Sequence, residues 1–336
     1  MIQKPATIKE IAKRLNVSIS TVSRALHDHP GIGLRTKMRV QQIATELNYV
    51  PNQAAISFKQ GKTKTIGVIL PNFSEDFFSM AITAIEDMAQ SNGYTVLTGQ
   101  SLDNVEREKT YVATMQKHRV DGVLVSLSKN TTDFTPFEQL MASGIPVVFF
   151  DRIPQSLDAY KVTCDLSKAT GQLVDLLVEQ KHKRIGFING PESMASFKER
   201  ADGFMESVKK HKLNDKDISV VSTDMTKEQT NDAIKKLLDK KDRPTAIIAF
   251  NDYVALEAIK FTREQGLKIN EDVSFVSYAN LPITTYLEQG LVASVEQFPY
   301  EQAEKATEML FALLDEKSDN SGLQKEHVFQ AEVVLH

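Results

Sequence analysis

The chain has 336 residues, 41% of them hydrophobic and 25% charged, a balance that supports fully cored folded domains and excludes a disordered or fibrous polypeptide. One cysteine excludes a disulfide scaffold, and a net charge of -4 with no apolar run of membrane-spanning length excludes an integral helical membrane protein. Met1-Ile-Gln-Lys-Pro5 opens no apolar signal segment, so cytoplasmic residence is the expectation.

The first predicted element is a helix over residues 8–15, because Ile8, Ile11, Ala12 and Leu15 fall at i, i+3, i+4 and i+7. Thr7 and Glu10 have the spacing of a capping box that starts it. Asn16-Val17-Ser18 breaks the period and Ser18 can cap a second helix, whose buried edge is Val22, Ala25 and Leu26. Two short helices across a three-residue turn are the helix-turn-helix spacing. Ile19, Ser20, Ser23 and Arg24 are left on the outer face, where they can reach base edges and phosphates.

A third helix follows from Val40, Ile43, Ala44 and Leu47, and it ends before Pro51. Three short helices can close a small core. The next segment, residues 51–61, has Asn52 as a cap and Gly61 as a terminator, but it is too short to be a stable helix without a partner. Charge divides the chain at this point. Residues 1–64 carry eleven Lys and Arg against three Asp and Glu, a net +8, which leaves about -12 for the rest. A cationic head on an acidic body directs the head toward phosphate.

From Lys64 onward, β-rich runs alternate with amphipathic helices. Residues 65–70, 94–97, 122–125 and 145–150 read as buried parallel strands of one doubly wound sheet. After Asp165 a second series begins, with strands at 184–188, 218–221, 245–250 and 273–277. In open α/β sheets ligands bind beyond the carboxyl ends of the strands, so two facing lobes share one cleft. Asn72, Ser126, Asp151, Asn189, Asn251 and Asn280 stand just past strand ends and are candidates to line it.

Several stretches together resemble the lactose-repressor and galactose-repressor (LacI/GalR) family of bacterial transcription regulators. They are Thr7 through Thr21-Val-Ser-Arg-Ala-Leu26, Leu47-Asn-Tyr-Val-Pro-Asn52, Lys62-Thr-Lys-Thr-Ile-Gly67, Val120-Asp-Gly-Val123, Phe149-Phe-Asp-Arg152, Arg200-Ala-Asp-Gly-Phe204 and Phe250-Asn-Asp252. The resemblance covers the whole chain. It implies a helix-turn-helix domain over 1–50, a hinge helix and linker over 51–63, and an effector-binding and dimerisation domain over 64–336. Within that domain it implies a first lobe of about 64–161 plus 291–324 and a second of about 162–290 plus 325–336, with crossings near 162, 291 and 325.

The same resemblance implies the partners: a double-stranded operator, a small-molecule effector of the sugar or sugar-derivative class, and a second copy of the chain. The DNA-contacting set is Thr7, Ser18, Ile19, Ser20, Thr21, Ser23 and Arg24 in the head, with Asn52, Ala55, Phe58 and Lys59 in the hinge segment. Phe58 stands where the family carries a leucine wedge for the minor groove, so the operator is expected to be a palindrome with a central pyrimidine-purine step. To the effector set it adds Phe77, Phe78, Ser196 and Arg200, with Met225 nearby, and Arg200 would clamp hydroxyls or a carboxylate through its fork of donors. Met194 and Met225 argue against purines. Where many members have a sugar-binding aspartate, this chain has Ala279, so either Asn280 or Asp151 accepts those hydrogen bonds or the effector differs in class. Dimer faces are expected on the helix from Asp76 to Asn92, with Met80, Ile85 and Met88, and on segments near 252–265 and 281–289.

Two other classes share parts of this pattern. A transport-type solute-binding protein has the two lobes but a signal peptide and no basic three-helix head. An α/β enzyme would carry a phosphate loop, a nucleophile elbow or a zinc motif, and Gly-x-x-x-x-Gly-Lys-Ser/Thr, Gly-x-Ser-x-Gly and His-Glu-x-x-His are all missing. The seven histidines have no ligand spacing, so neither metal nor cofactor is expected, and Cys164 reads as a small buried residue.

Overall fold

A computed structural model describes residues 6–51, 61–315 and 322–336. The chain divides into two compact units, Met1–Thr63 and Lys64–His336.

The head contains α1 (Ile8–Leu15), α2 (Ile19–Leu26) and α3 (Leu34–Glu46). Its core is Ile11, Ala12, Val22, Ala25, Val40 and Ala44, two residues from each helix-facing stripe, with Leu15, Leu26, Ile43 and Tyr49 packed around it. The Thr7 backbone N–H donates to the Glu10 carboxylate at 2.8 Å, which holds the first turn of α1. At the other end Asn16 adopts φ 51°, a left-handed conformation that asparagine tolerates and that turns the chain sharply into α2. Ser18 Oγ accepts the Thr21 N–H at 3.0 Å and starts α2.

The body is built from two six-stranded sheets. The first holds β1 (Thr65–Leu70), β2 (Thr95–Gln100), β3 (Gly122–Val125), β4 (Val147–Phe150), β5 (Tyr160–Asp165) and β11 (Glu326–Gln330), in the order β11-β5-β4-β3-β1-β2 and all parallel. The second holds β6 (Ile185–Asn189), β7 (Ile218–Ser222), β8 (Ala246–Ala249), β9 (Ser274–Tyr278), β10 (Ala293–Glu296) and β12 (Glu332–Leu335), in the order β12-β10-β9-β8-β6-β7. Only β12 runs antiparallel to its neighbour. The helices are α4 (Asp76–Ser91), α5 (Val105–His118) and α6 (Thr135–Ala142), then α7 (Leu166–Glu179), α8 (Ala195–Lys210), α9 (Lys227–Leu238), α10 (Asp252–Glu264) and α11 (Pro299–Leu314).

The eight strands expected from apolar runs all form. The crossings come later than expected, after residues 165, 296 and 330 rather than near 162, 291 and 325, because each connecting strand completes its ladder before the chain leaves the sheet. Val162 and Cys164 pair with His327 and Phe329 inside the first sheet, so a boundary at 161 falls inside β5. Asp165 is both the last residue of β5 and the cap of α7, its carboxylate accepting the Lys168 N–H at 3.2 Å.

Each sheet is covered on both faces. One cluster lies between β1, β3, β4 and the helices α4 and α11, with Ile66, Leu124, Phe78, Ala81, Ala306 and Leu310 at its centre. Ile85 belongs to this core and is fully buried, so it does not present a dimer face. In the second lobe α7 and α8 pack closely because Gly203 brings its backbone against that of Ser167. A Cβ at residue 203 would lie 2.1 Å from the Ser167 carbonyl oxygen.

Candidate functional site

On the head, α2 buries Val22 and Ala25 and turns Ile19, Ser20 and Arg24 outward, with Ile19 45% exposed. Thr7 and Ser18 are also exposed, while Thr21 and Ser23 are half-buried. The hydroxyls are not independent. Ser18 Oγ lies 2.7 Å from Ser20 Oγ and 2.8 Å from Thr21 Oγ1, so Ser18 holds the helix start, while Arg24 is exposed and forms no ion pair among the described residues. Asn52, Ala55, Phe58 and Lys59 lie outside the described residues.

In the body, the carboxyl ends of the two sheets face a cleft enclosing about 760 Å³, part of it open to solvent. Six of the anticipated residues line it: Phe77 and Phe78 at the start of α4, Asp151 after β4, Ser196 and Arg200 on α8, and Asn251 before α10. Met194 and Ala279 line it too.

The other anticipated residues are placed elsewhere, each for a structural reason. Asn72 caps its own loop, accepting from Ser74 N at 3.0 Å and from Gln100 Nε2 at 3.0 Å. Ser126 is fully buried and donates to Asp151 at 3.2 Å, so it orients that carboxylate from behind. Met225 packs against the apolar core of β8, α9 and α10. Asn189 donates to the Phe197 carbonyl at 2.9 Å and accepts from Gly190 N. Asn280, in a left-handed conformation at φ 51°, donates to Glu296 at 2.9 Å, and Glu296 in turn accepts the Phe298 N–H at 2.7 Å. Asn280 thus ties β9 to the second crossing instead of facing a ligand.

Arg200 is the most constrained group in the cleft. Its side chain is buried, donates to the Phe250 carbonyl at 2.7 Å and reaches Gln297 Oε1 at 3.5 Å. Its guanidinium lies 4.0 Å from the Phe250 ring centroid and 4.1 Å from that of Tyr278, sandwiched between two aromatic faces. Burial lowers its affinity for a proton, while Tyr278, Asp151 and Glu199 act the other way. Burial pushes the Tyr278 hydroxyl up to about 12, and that hydroxyl lies 2.6 Å from Thr170 Oγ1.

Sequence reasoning missed Glu75, Arg152, Glu199, Tyr253, Gln297 and Gln302, all of which line the cleft. Arg152 pairs with Asp103 at 2.7 Å, lies 3.9 Å from Asp151 and sits over the Phe78 ring. Burial raises the carboxyl groups of Glu75, Asp151 and Glu199 above their ordinary range. Glu75 and Tyr253 stand within two residues of anticipated positions. Gln302 had no signal, because α11 follows a crossing that the sequence placed too early. Cys164 also lines the cleft, with burial pushing its thiol up to about 12, which leaves it a protonated, unreactive side chain.

Three contacts bridge the lobes at the cleft rim. The Tyr253 hydroxyl accepts the Asp76 N–H at 3.3 Å, Lys129 Nζ donates to the Asp224 carbonyl at 2.7 Å, and Ser193 Oγ donates to the Lys129 carbonyl. Among the described residues no cluster of His, Cys, Asp and Glu has the arrangement of a metal site, and no helix is long and apolar enough to cross a membrane.

Comparison with known proteins covers both units. Residues 7–52 match the family model of bacterial regulatory proteins of the lacI family, and residues 66–318 match that of the periplasmic binding protein domain. Over 323 residues the chain is 32% identical to the HTH-type transcriptional repressor CytR of Escherichia coli (strain K12), covering 96% of this chain and 91% of that one. It is 29% identical over 323 residues to catabolite control protein A of Priestia megaterium, with 96% of each chain covered. The fold is similar to that of the Lac repressor dimer bound to operator and the anti-inducer ONPF, with a TM-score of 0.85 and 22% identity over 98% of both chains. It is also similar to a CelR–cellobiose complex, with a TM-score of 0.70, 23% identity and 98% of both chains covered. A lacI-type head joined to a periplasmic-binding-protein-type body, with relatives of near-equal length that are named repressors, makes this chain a member of the LacI family of bacterial regulatory proteins, a DNA-binding transcriptional regulator with an effector-binding domain.

Proposed function

We propose that the protein is a cytoplasmic, non-enzymatic repressor that grips a palindromic operator as a homodimer and is switched by a small polyhydroxyl compound held in the cleft. One observation carries the effector half of this reading. Among the described residues, only three buried side-chain polar atoms lack a hydrogen-bond partner, Ser196 Oγ, Arg200 Nε and Gln302 Oε1, and all three belong to residues of this cleft. A buried polar atom left unpaired costs roughly 1 to 3 kcal/mol, so their convergence is the mark of a ligand that supplies the missing partners. They comprise one donor, one acceptor and one hydroxyl that is both. Ligand hydroxyls satisfy all three at once.

Phe77, Phe78 and Tyr253 offer apolar faces for the ring of such a compound, and Asp151 and Arg152 offer charged acceptors and donors from the first lobe. The rim contacts hold the two lobes together in this arrangement. A ligand that bridges Asp151 in one lobe and Arg200 in the other therefore favours the closed arrangement, and a coupling of about 1 to 3 kcal/mol is enough to switch DNA affinity several-fold or more. On the head, Arg24, Ile19 and Ser20 would enter the major groove. Phe58 would wedge the minor groove at the centre of the site, where a pyrimidine-purine step is cheapest to kink.

The test is a gel shift with the full-length protein on an operator selected from random duplexes, repeated with a library of sugars and sugar derivatives. Selection of a palindrome, with binding released or strengthened by one compound, supports the reading. Binding that no cleft ligand alters, or that shows no sequence preference over bulk DNA, would overturn it.

A further inference from the structure

The cleft holds more negative than positive charge, and its carboxylates are poorly paired. Glu75, Asp151 and Glu199 line it together with Arg152 and Arg200, but Arg152 already forms an ion pair with Asp103 at 2.7 Å. Glu199 forms no hydrogen bond or ion pair with any described side chain. Glu75 has only Asn72 Nδ2, at 3.4 Å. Asp151 accepts from Ser126 at 3.2 Å and has the Arg152 Nε at 3.9 Å, too far for a hydrogen bond. The two outer nitrogens of Arg200 are committed to the Phe250 carbonyl and to Gln297, so it acts on Asp151 and Glu199 through space and not by hydrogen bonds.

Asp151 repels both Glu75 and Glu199, and burial makes each of the three costly to keep ionised. Ala279, just past β9, lines the cleft and offers it no acid. Acidity in this chain is therefore supplied from Glu75 and Asp151 in the first lobe and Glu199 on α8. Beside them, Arg200 and Gln302, 4% and 1% exposed, present the unpartnered Nε and Oε1 atoms described above.

Resting on the effector reading just given, we infer that the cleft is built for an aminated polyhydroxyl ring, of which an amino sugar is the simplest form. Its ammonium sits among Glu75, Asp151 and Glu199 while its hydroxyls meet Ser196, Arg200 and Gln302. An ammonium adds counter-charge where Glu75, Asp151 and Glu199, with Asp103 paired to Arg152, outnumber Arg152 and Arg200. It also supplies three N–H donors to carboxylates that accept few hydrogen bonds from the protein. A phosphate or carboxylate on the ligand would face the same carboxylates and be rejected.

The experiment is calorimetric titration of the full-length protein at pH 7 with matched probes. These are glucosamine, galactosamine and mannosamine, the parent glucose, galactose and mannose, and the three hexose 6-phosphates. At least one amine is expected to bind about tenfold or more tighter than its parent, with the matching phosphate weaker still. In Glu199→Gln and Glu75→Gln that ratio should fall toward one, a readout that simple loss of packing, which would weaken amine and parent hexose alike, would not produce. A parent hexose or hexose phosphate that binds as tightly as the amine overturns this inference and leaves the effector-controlled repressor intact. Failure of all three amines to bind also overturns it. Operator binding tested in parallel against the wider sugar library reports on the repressor reading by itself.

Discussion

Arg200 and Phe250 are locked together twice: the guanidinium donates to the Phe250 carbonyl at 2.7 Å and stacks 4.0 Å from the centre of the same residue's ring. The arginine cannot leave the ring without breaking the hydrogen bond, and the second ring, Tyr278, closes the other face. Room for the Phe250 ring is made by Gly190. A Cβ there would fall 2.3 Å from the Phe250 ring edge.

Arg200→Lys keeps a positive charge and removes the planar fork. The substitution should weaken effector binding by about 10- to 100-fold, because an ammonium cannot stack between Phe250 and Tyr278 while donating to the backbone and to the ligand. Calorimetry with the effector measures it. Unchanged affinity would remove Arg200 from the site. Gly190→Ala tests the same unit from behind, with a smaller loss of affinity expected as the Phe250 ring shifts.

Gly203→Ala should lower the stability of the body by about 2 to 4 kcal/mol, because the added methyl meets the Ser167 carbonyl oxygen rather than a flexible side chain. Thermal unfolding followed by circular dichroism checks this. The head, a separate compact unit, should lose little.

In the ligand-free protein, Glu199→Gln should raise the melting temperature at pH 7 by about 2 °C and leave it nearly unchanged at pH 4. The sign follows from burial, which raises the Glu199 carboxyl above its ordinary range. A raised carboxyl favours the protonated form in the fold, so its ionisation costs stability as pH rises through the folded value. Below the ordinary value of 4.5 both states are protonated and the cost is gone. A melting temperature that falls at pH 7 would mean that Glu199 is stabilising after all.

Arg24→Ala should reduce operator affinity and lower the slope of log affinity against log salt by about one, the signature of one lost phosphate contact. If specificity at one base pair relaxes instead, with the salt slope unchanged, Arg24 reads a base edge. Ile19→Ala, which removes a 45%-exposed apolar side chain, should weaken specific binding and leave the salt slope alone.

The periodic parts of this fold were legible in the sequence. Ile11, Val22 and Val40 repeat at helical spacing because they must share one core, and the apolar runs of β1, β3, β4, β6 and β8 are continuous because parallel strands are buried on both faces. The crossings were not, since β11 alternates exposed and half-buried residues at a sheet edge and carries little signal. At the cleft, the rule that ligands lie past strand ends found Asp151 and Asn251. It failed for Asn72, Asn189 and Asn280, which spend their amides on local backbone and on Glu296. An asparagine after a strand caps a turn as readily as it binds a ligand, and sequence spacing does not separate the two. The Arg200-Ala-Asp-Gly-Phe204 motif has two meanings at once: Arg200 faces the cleft, while Gly203 sets the α7–α8 contact and Phe204 packs on Phe187 of β6.

The last two strands are separated by Ala331 alone, and each adds an edge to a different sheet. During synthesis, at about 5 to 20 residues per second, the head can close its core once Tyr49 has emerged from the ribosome. Neither lobe of the body can finish its sheet until residues 326–335 are out. A nascent chain thus owns a finished helix-turn-helix head well before it owns the effector-binding body, and the ten residues from Glu326 to Leu335 are what bring the two into step.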